Sequence, residues 1–161
     1  MSKRSDQIKE LLAAQKDHVL QSSPSPFMRW LAPIVREVGD GNLTFEFAIR
    51  PEMTNPMGTL HGGVMAAIMD DMIGATIICL GRDHFYTTIN NVIDYFSGAK
   101  PGDTITGKTK VIKSGRQIIN VEFELWNLPK NRLLARGYSN ALKTEVLVPD
   151  NASVNPADDN K

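Results

Sequence analysis

The chain has 161 residues and a mass of 17.8 kDa, a size that fits one compact domain with a single core. Hydrophobic residues make up 42% and charged residues 22%, which excludes the wholly disordered and fibrous classes. Lysine plus arginine number 18 and aspartate plus glutamate 18, so the net charge of zero excludes a large electrostatic footprint for nucleic acid or an anionic membrane.

Residues 4–21 carry a helical pattern in which Ile8, Leu11, Leu12, Gln15, Val19 and Leu20 form a rough apolar stripe. Ser22-Ser23-Pro24-Ser25-Pro26 stops it, which predicts an N-terminal helical extension over residues 1–26. Phe27 to Leu31 reads as a turn of helix packed on the body. Ile34 to Val38 and Leu43 to Arg50 flank Gly39-Asp40-Gly41-Asn42, and Leu43, Phe45, Phe47 and Ile49 alternate with their neighbours, so a hairpin is predicted. Val64 to Leu80 is apolar apart from Asp70 and Asp71 in its middle. Two carboxylates there argue against a membrane span and for a helix buried in protein.

The rest of the chain has strand character. Tyr86 to Phe96, Thr104 to Lys113, Gln117 to Trp126 and Leu133 to Lys143 read as four strands separated by Gly, Pro, Asn and Ser clusters. Ile119, Val121, Phe123 and Leu125 against Asn120, Glu122 and Glu124 form the cleanest alternation. The polar, aromatic-free stretch from Pro149 to Lys161 predicts a mobile tail, leaving residues 27–148 as the folded domain. The predicted class is α+β, an antiparallel sheet wrapped around one long apolar helix. That helix is too apolar to be satisfied by its own sheet, so at least a dimer is expected, with two helices meeting near a twofold axis. The single cysteine, Cys79, cannot close an internal disulfide, and the charged opening MSKRSDQIKELLAAQKDHVL lacks the apolar run of a secretory signal, so a cytoplasmic location is expected.

Several motifs carry little. Gly102 to Thr109 matches the GxxxxGK[ST] phosphate loop, but Lys108 runs into a strand pattern where that loop requires a helix. The three histidines and one cysteine have no metal-ligand spacing, and neither a metal nor another cofactor is expected. Asn42-Leu43-Thr44 and Asn151-Ala152-Ser153 match glycosylation acceptors without a secretory context.

The informative stretch is Asn55-Pro56-Met57-Gly58-Thr59-Leu60-His61-Gly62-Gly63, directly before the apolar helix. Two glycines at a helix start either form a tight turn or expose backbone N–H groups to an anion or a developing oxyanion. A carboxylate on an apolar helix needs a partner or water, and adjacent ones point about 100° apart, so Asp70 and Asp71 must meet different environments. Asp70 lies eight residues beyond Gly62, about 12 Å along a helix axis, and one chain cannot aim both at one carbonyl carbon. Antiparallel helices across a twofold would bring one chain's helix start beside the other's middle, giving a shared site.

Asn55, His61-Gly62-Gly63 and Asp70 at this spacing, followed by Thr88, Tyr95, Pro101-Gly102-Asp103 and Gly115-Arg116, resemble the hotdog-fold acyl-CoA thioesterases of the PaaI-like group, within the 4-hydroxybenzoyl-CoA thioesterase superfamily. The resemblance covers residues 27–145. It implies a hotdog fold, assembly into homodimers and usually homotetramers, and hydrolysis of acyl-CoA thioesters. By position it implies Asp70 as base or nucleophile, the Gly62 N–H as oxyanion donor, Asn55 and His61 orienting the thioester or the loop, and Thr88 as the small hydroxyl residue near the water. Gly63, Tyr95 and Arg116 are the implied substrate-binding residues, although Arg116, Lys108, Lys110 and Lys113 read equally as solvated charges.

The expected function is therefore acyl-CoA hydrolysis with acyl-CoA as the small-molecule partner, and neither nucleic acid nor membrane. Thiolate is a good leaving group, so an oriented carboxylate or water plus an oxyanion donor suffices. A non-catalytic acyl-CoA-binding protein and a hydroxyacyl-thioester dehydratase pairing His61 with Asp70 are the alternatives on the same fold.

Overall fold

The computed structural model describes residues 2–149; the predicted tail beyond Pro149 lies outside the described residues. The elements are α1 (Lys3–Ala13), α2 (Pro26–Leu31), β1 (Ile34–Gly39), β2 (Asn42–Ala48), α3 (Gly62–Cys79), β3 (His84–Tyr95), β4 (Thr104–Ser114), β5 (Ile118–Asn127) and β6 (Arg132–Leu147). All strand pairs are antiparallel, in one six-stranded sheet of order β1-β2-β4-β5-β6-β3. This is the α+β arrangement that the apolar run and the alternating strands imply.

The sheet curls over α3. Leu43, Phe45 and Phe47 from β2 and Ile119, Val121, Phe123 and Leu125 from β5 are at most 1% exposed, as their alternation requires. They meet Ile68, Met69, Met72 and Ile73 of α3, also buried. The one polar residue on this face of the helix, Thr76, is satisfied by bonds to the Met72 carbonyl and to Thr109 Oγ1, each 2.7 Å. By length and composition α3 would pass for a membrane span, but its apolar face is covered by the sheet.

At the N-terminus the sequence reading extends the helix too far. α1 ends at Ala13, and Asp17 adopts a left-handed φ of 65° that no helix tolerates. Residues 16–20 instead run beside β1: the Asp17 N–H donates to the Val35 carbonyl at 2.8 Å and the Leu20 N–H to the Pro33 carbonyl at 2.8 Å. The open edge of β1 offers this segment backbone partners that an isolated helix lacks, and the segment covers that edge. The start of α1 docks on the end of α3, where Ser5 Oγ donates to the Cys79 carbonyl at 2.7 Å.

β3 holds the feature that matters most for the site. It follows α3 in the chain but sits at the sheet edge against β6, and residues 96–103 carry the chain back to β4 in the middle. This return passes beside the loop before α3, where the Leu60 N–H donates to the Ala99 carbonyl at 2.8 Å. Between Thr88 and Asn90 the register slips, because Thr88 faces Ala141 while Asn90 faces Asn140, and Ile89 is the extra residue of a β-bulge. β3 also lies so close to β6 that a Cβ on Gly137 would come within 2.0 Å of the Val92 carbonyl oxygen. Gly137→Ala is therefore expected to cost about 1–3 kcal/mol by overpacking against backbone. Urea denaturation measures it, and an unchanged midpoint would mean that β3 can shift without loss.

Candidate active site

The site begins with the loop that feeds α3. Asn55 closes it: Oδ1 accepts the N–H groups of Met57 at 3.0 Å and Thr59 at 3.2 Å, Nδ2 donates to Thr59 Oγ1 at 3.0 Å, and the Asn55 N–H donates to the Thr59 carbonyl at 2.8 Å. Gly58 takes the left-handed position of the turn at φ 72°. Asn55 is thus a loop anchor in this structure. His61 follows as the N-cap of α3, its Nδ1 accepting the Gly63 N–H at 2.8 Å. That bond leaves Nδ1 without a proton and, in the neutral ring, puts the proton on Nε2.

The consequence falls on the glycines. The Gly63 N–H is occupied by His61, and the N–H groups of Val64 and Met65 both donate to the His61 carbonyl, at 2.9 and 3.1 Å. Among the described residues the Gly62 N–H has no acceptor. It is the open donor at the positive end of an 18-residue helix. Tyr95 secures this residue from β3 by donating its OH to the Gly62 carbonyl at 3.3 Å.

Asp70 lies on the exposed face of α3, two turns further on. Thr88 Oγ1 donates to its Oδ1 at 2.9 Å and Asn91 Nδ2 to the same oxygen at 2.8 Å. Both donors come from β3, and Oδ2 receives no hydrogen bond from the described residues. Asn91 is a site residue that the sequence reading misses. Three positions apart, Thr88 and Asn91 would point to opposite faces of a regular strand. The bulge at Ile89 resets the alternation and turns both toward the helix.

Asp71 points elsewhere. Ser25, the N-cap of α2, accepts the Met28 N–H at 3.1 Å and donates its Oγ to Asp71 Oδ1 at 2.9 Å. Asp71 therefore ties the segment before α2 to α3. Burial pushes its carboxyl above the ordinary carboxylate range, the Ser25 bond opposes this, and the Asp70 charge adds to it.

The remaining candidates lie apart. Arg116 is exposed in the β4–β5 turn, its carbonyl accepting the Tyr86 OH at 3.1 Å. Tyr86 and Tyr95 are nine residues apart on β3, about 30 Å at 3.3 Å per residue, so within one chain Arg116 and Gly62 are at opposite ends. Lys108 and Lys110 face Glu124 and Glu122 across the β4–β5 ladder, as charges on a solvated sheet face do. Asp103 accepts bonds from Lys130 Nζ at 2.6 Å and the Lys100 N–H at 2.9 Å, which hold its carboxyl below the usual range and close the turn into β4. The phosphate-loop match has Thr104 to Thr109 inside β4, with no helix to receive a phosphate. Among the described residues no cluster of three His, Cys, Asp or Glu side chains is placed to hold a metal ion.

An open helix-start donor and a fixed carboxylate two turns along the same helix suit the hydrolysis of an activated acyl group. Residues 57–133 match the family described as the thioesterase superfamily. Human Acyl-coenzyme A thioesterase 13 (Homo sapiens) is 31% identical over 97 residues, covering 60% of this chain and 69% of that protein. The chain belongs to the thioesterase superfamily. Among solved structures of the same fold, the Escherichia coli PaaI protein from the phenylacetic acid degradation operon aligns with a TM-score of 0.74 at 15% identity, over 92% of this chain and 99% of that one. A hypothetical thioesterase from Streptococcus pneumoniae, solved with coenzyme A, aligns at 0.66 and 21% identity over 70% and 85%.

In this superfamily member the two adjacent aspartates separate by stability. The Asp71 pKa is higher folded than unfolded, so the fold binds its proton more tightly. The stability this contributes is full below the unfolded value and is lost as pH rises through the folded one. Asp71→Asn, which keeps an oxygen for Ser25, should melt above the wild type at pH 7 to 8, and the gap should close toward pH 4. Thermal unfolding followed across pH checks this; a variant less stable at pH 8 would show that the charged form is the one the fold favours.

Proposed function

We propose that the protein hydrolyses acyl-CoA thioesters to the free acid and CoA, at a site built from two subunits. The observation that carries this reading is the pairing of an unoccupied donor, the Gly62 N–H, with a carboxylate whose Oδ1 is fixed by Thr88 and Asn91 and whose Oδ2 is open. The two are about 12 Å apart along one helix, too far to act on one carbonyl.

The second subunit follows from the sheet edge. β3 has a free side, and Ile89 and Val92 on it are 53% and 40% exposed. Pairing two β3 edges antiparallel about a twofold joins the sheets and sets the two α3 helices antiparallel. The Gly62 N–H of one protomer then approaches the partner's Asp70. Further exposed apolar residues on the sheet, including Ile112, Ile118 and Tyr138, give such dimers a face for pairing into a tetramer. A cytoplasmic location belongs to the same reading.

In the reaction, the thioester carbonyl sits on the Gly62 N–H. The partner's Asp70 either adds Oδ2 to the carbonyl carbon or takes a proton from a water that does so. The tetrahedral oxyanion is held by the Gly62 N–H at the helix start, and its collapse expels the CoA thiolate. Attack by water gives the acid directly; attack by Oδ2 gives an acyl-aspartyl anhydride that a water then hydrolyses to the acid and free Asp70. Loop and cap keep this donor in place through Asn55 and His61, and β3 keeps the carboxylate in place through Thr88 and Asn91. His61 presents a protonated Nε2 with Nδ1 occupied, the wrong tautomer for the base a dehydratase needs.

A panel of acyl-CoAs read by free-thiol release tests the reading. Asp70→Asn should fold and elute as the wild type does while hydrolysis falls by at least about 10²-fold, the low end for a lost general base. An inactive Asp71→Asn beside an active Asp70→Asn would move the assignment by one residue. Tight acyl-CoA binding with no thiol release would favour a non-catalytic binding protein, and an unsaturated thioester product from a hydroxyacyl-CoA would favour a dehydratase.

A further inference from the structure

A cavity of about 260 Å³ lies beneath α1, between that helix, the C-terminal half of α3 and the start of β3. Leu11 and Leu12 of α1, Gly74 and Ile78 of α3, and Phe85 of β3 are among its walls. Its polar members are Asp71, whose Oδ1 is turned to Ser25, and the Gln15 and serine side chains of the segment between α1 and α2. We propose that this cavity is the acyl-chain subsite and takes an unbranched alkyl chain that enters past Gly74. The proposal rests on the hydrolytic reading above and deepens it by naming the substrate class.

Three observations support that occupant. Gly74, which lines the cavity, lies four residues from Asp70 and therefore one turn along the same face of α3. The way is open there: a Cβ on Gly74 would meet no atom within 4 Å, and the residue is exposed. Volume sets the length. An apolar cavity of about 150 Å³ takes a benzene ring, roughly 25 Å³ per carbon, so the cavity beneath α1 has room for about ten carbons.

The direction is also right. With the carbonyl held between the Gly62 N–H of one protomer and the partner's Asp70, a chain leaving toward the partner's Gly74 runs down the partner's helix into the partner's cavity. The CoA half leaves on the opposite side. One wall, α1, lies outside residues 57–133, the part that matches the superfamily. Chain-length preference is therefore set by a segment outside that matched stretch, and the Ser25–Asp71 bond at the cavity's rim fastens the chain between α1 and α2 to α3.

The test uses non-hydrolysable S-alkyl-CoA thioethers, from ethyl to hexadecyl, with binding measured by calorimetry on the full chain. Affinity should rise by about three- to fourfold per methylene and level off near ten carbons. Gly74→Leu replaces a poor helix former by a good one and places a side chain in the entrance. It should flatten the rise while leaving S-ethyl-CoA within about twofold of wild type. Leu12→Ala, altering the opposite wall, should weaken S-decyl-CoA by about tenfold or more and S-ethyl-CoA little, which keeps the test decisive should Gly74→Leu fail to assemble. Chain-length dependence unchanged in both variants, or absent in the wild type, overturns the subsite. These outcomes are separate from turnover. A protein that binds long thioethers through this cavity but releases no thiol from any acyl-CoA keeps the subsite and loses the hydrolytic reading, and the converse result does the opposite.

Discussion

The structure depends on how one of two adjacent carboxylates is satisfied on a helix that is otherwise largely apolar. Asp70 cannot face the sheet that buries Ile68, Met69 and Met72, and it does not stand alone: Thr88 and Asn91 both reach its Oδ1. Both donors lie on β3, so the strand must run along this face of α3. Because they are three positions apart, it must also carry a bulge to turn them the same way. Charge-assisted bonds to a carboxylate are roughly twice as strong as neutral ones, which makes this contact a strong tie between the helix and the sheet edge. It also fixes one carboxylate oxygen and leaves the other available.

The same helix is organised in opposite ways at its two ends. At its start, capping removes donors one at a time until a single N–H is left, and at its end Ser5 of α1 takes a carbonyl. The N-terminal extension is thus anchored to the helix that carries Asp70, through Ser5 at the end of α3 and through Ser25 at Asp71. Ser5 ties α1 itself, and Ser25 ties the chain that leads into α2.

Much of this was legible in the sequence because it is periodic or local. β5 announces itself through Ile119, Val121, Phe123 and Leu125, and α3 through an apolar run preceded by His61-Gly62-Gly63. Asp70 stood out because a carboxylate on such a run demands an explanation. What stayed hidden depends on tertiary partners. Residues 14–21 keep a helical stripe in sequence, yet the free edge of β1 draws Asp17 and Leu20 out of the helix. The place of β3 beside β6 is not encoded in order along the chain. Asn91 escaped notice because regular strand alternation puts it on the wrong face, and a bulge that depends on pairing with Asn140 corrects it. The division of labour between Gly62 and Gly63 required knowing where the His61 imidazole points.

The central claim is that the Gly62 N–H and Asp70 act on one substrate from different chains. Gly62→Pro deletes that N–H and nothing else polar, at a helix position where proline is favoured and after a residue, His61, already extended at ψ 134°. Mixing this variant with Asp70→Asn under subunit exchange creates heterodimers with one intact and one doubly damaged site, whereas each parent dimer has both sites damaged. Random exchange in equal amounts makes half the dimers mixed, so hydrolysis should return to about a quarter of the wild-type rate. Proven exchange with no return of activity would place both groups at work within a single chain and contradict the shared site.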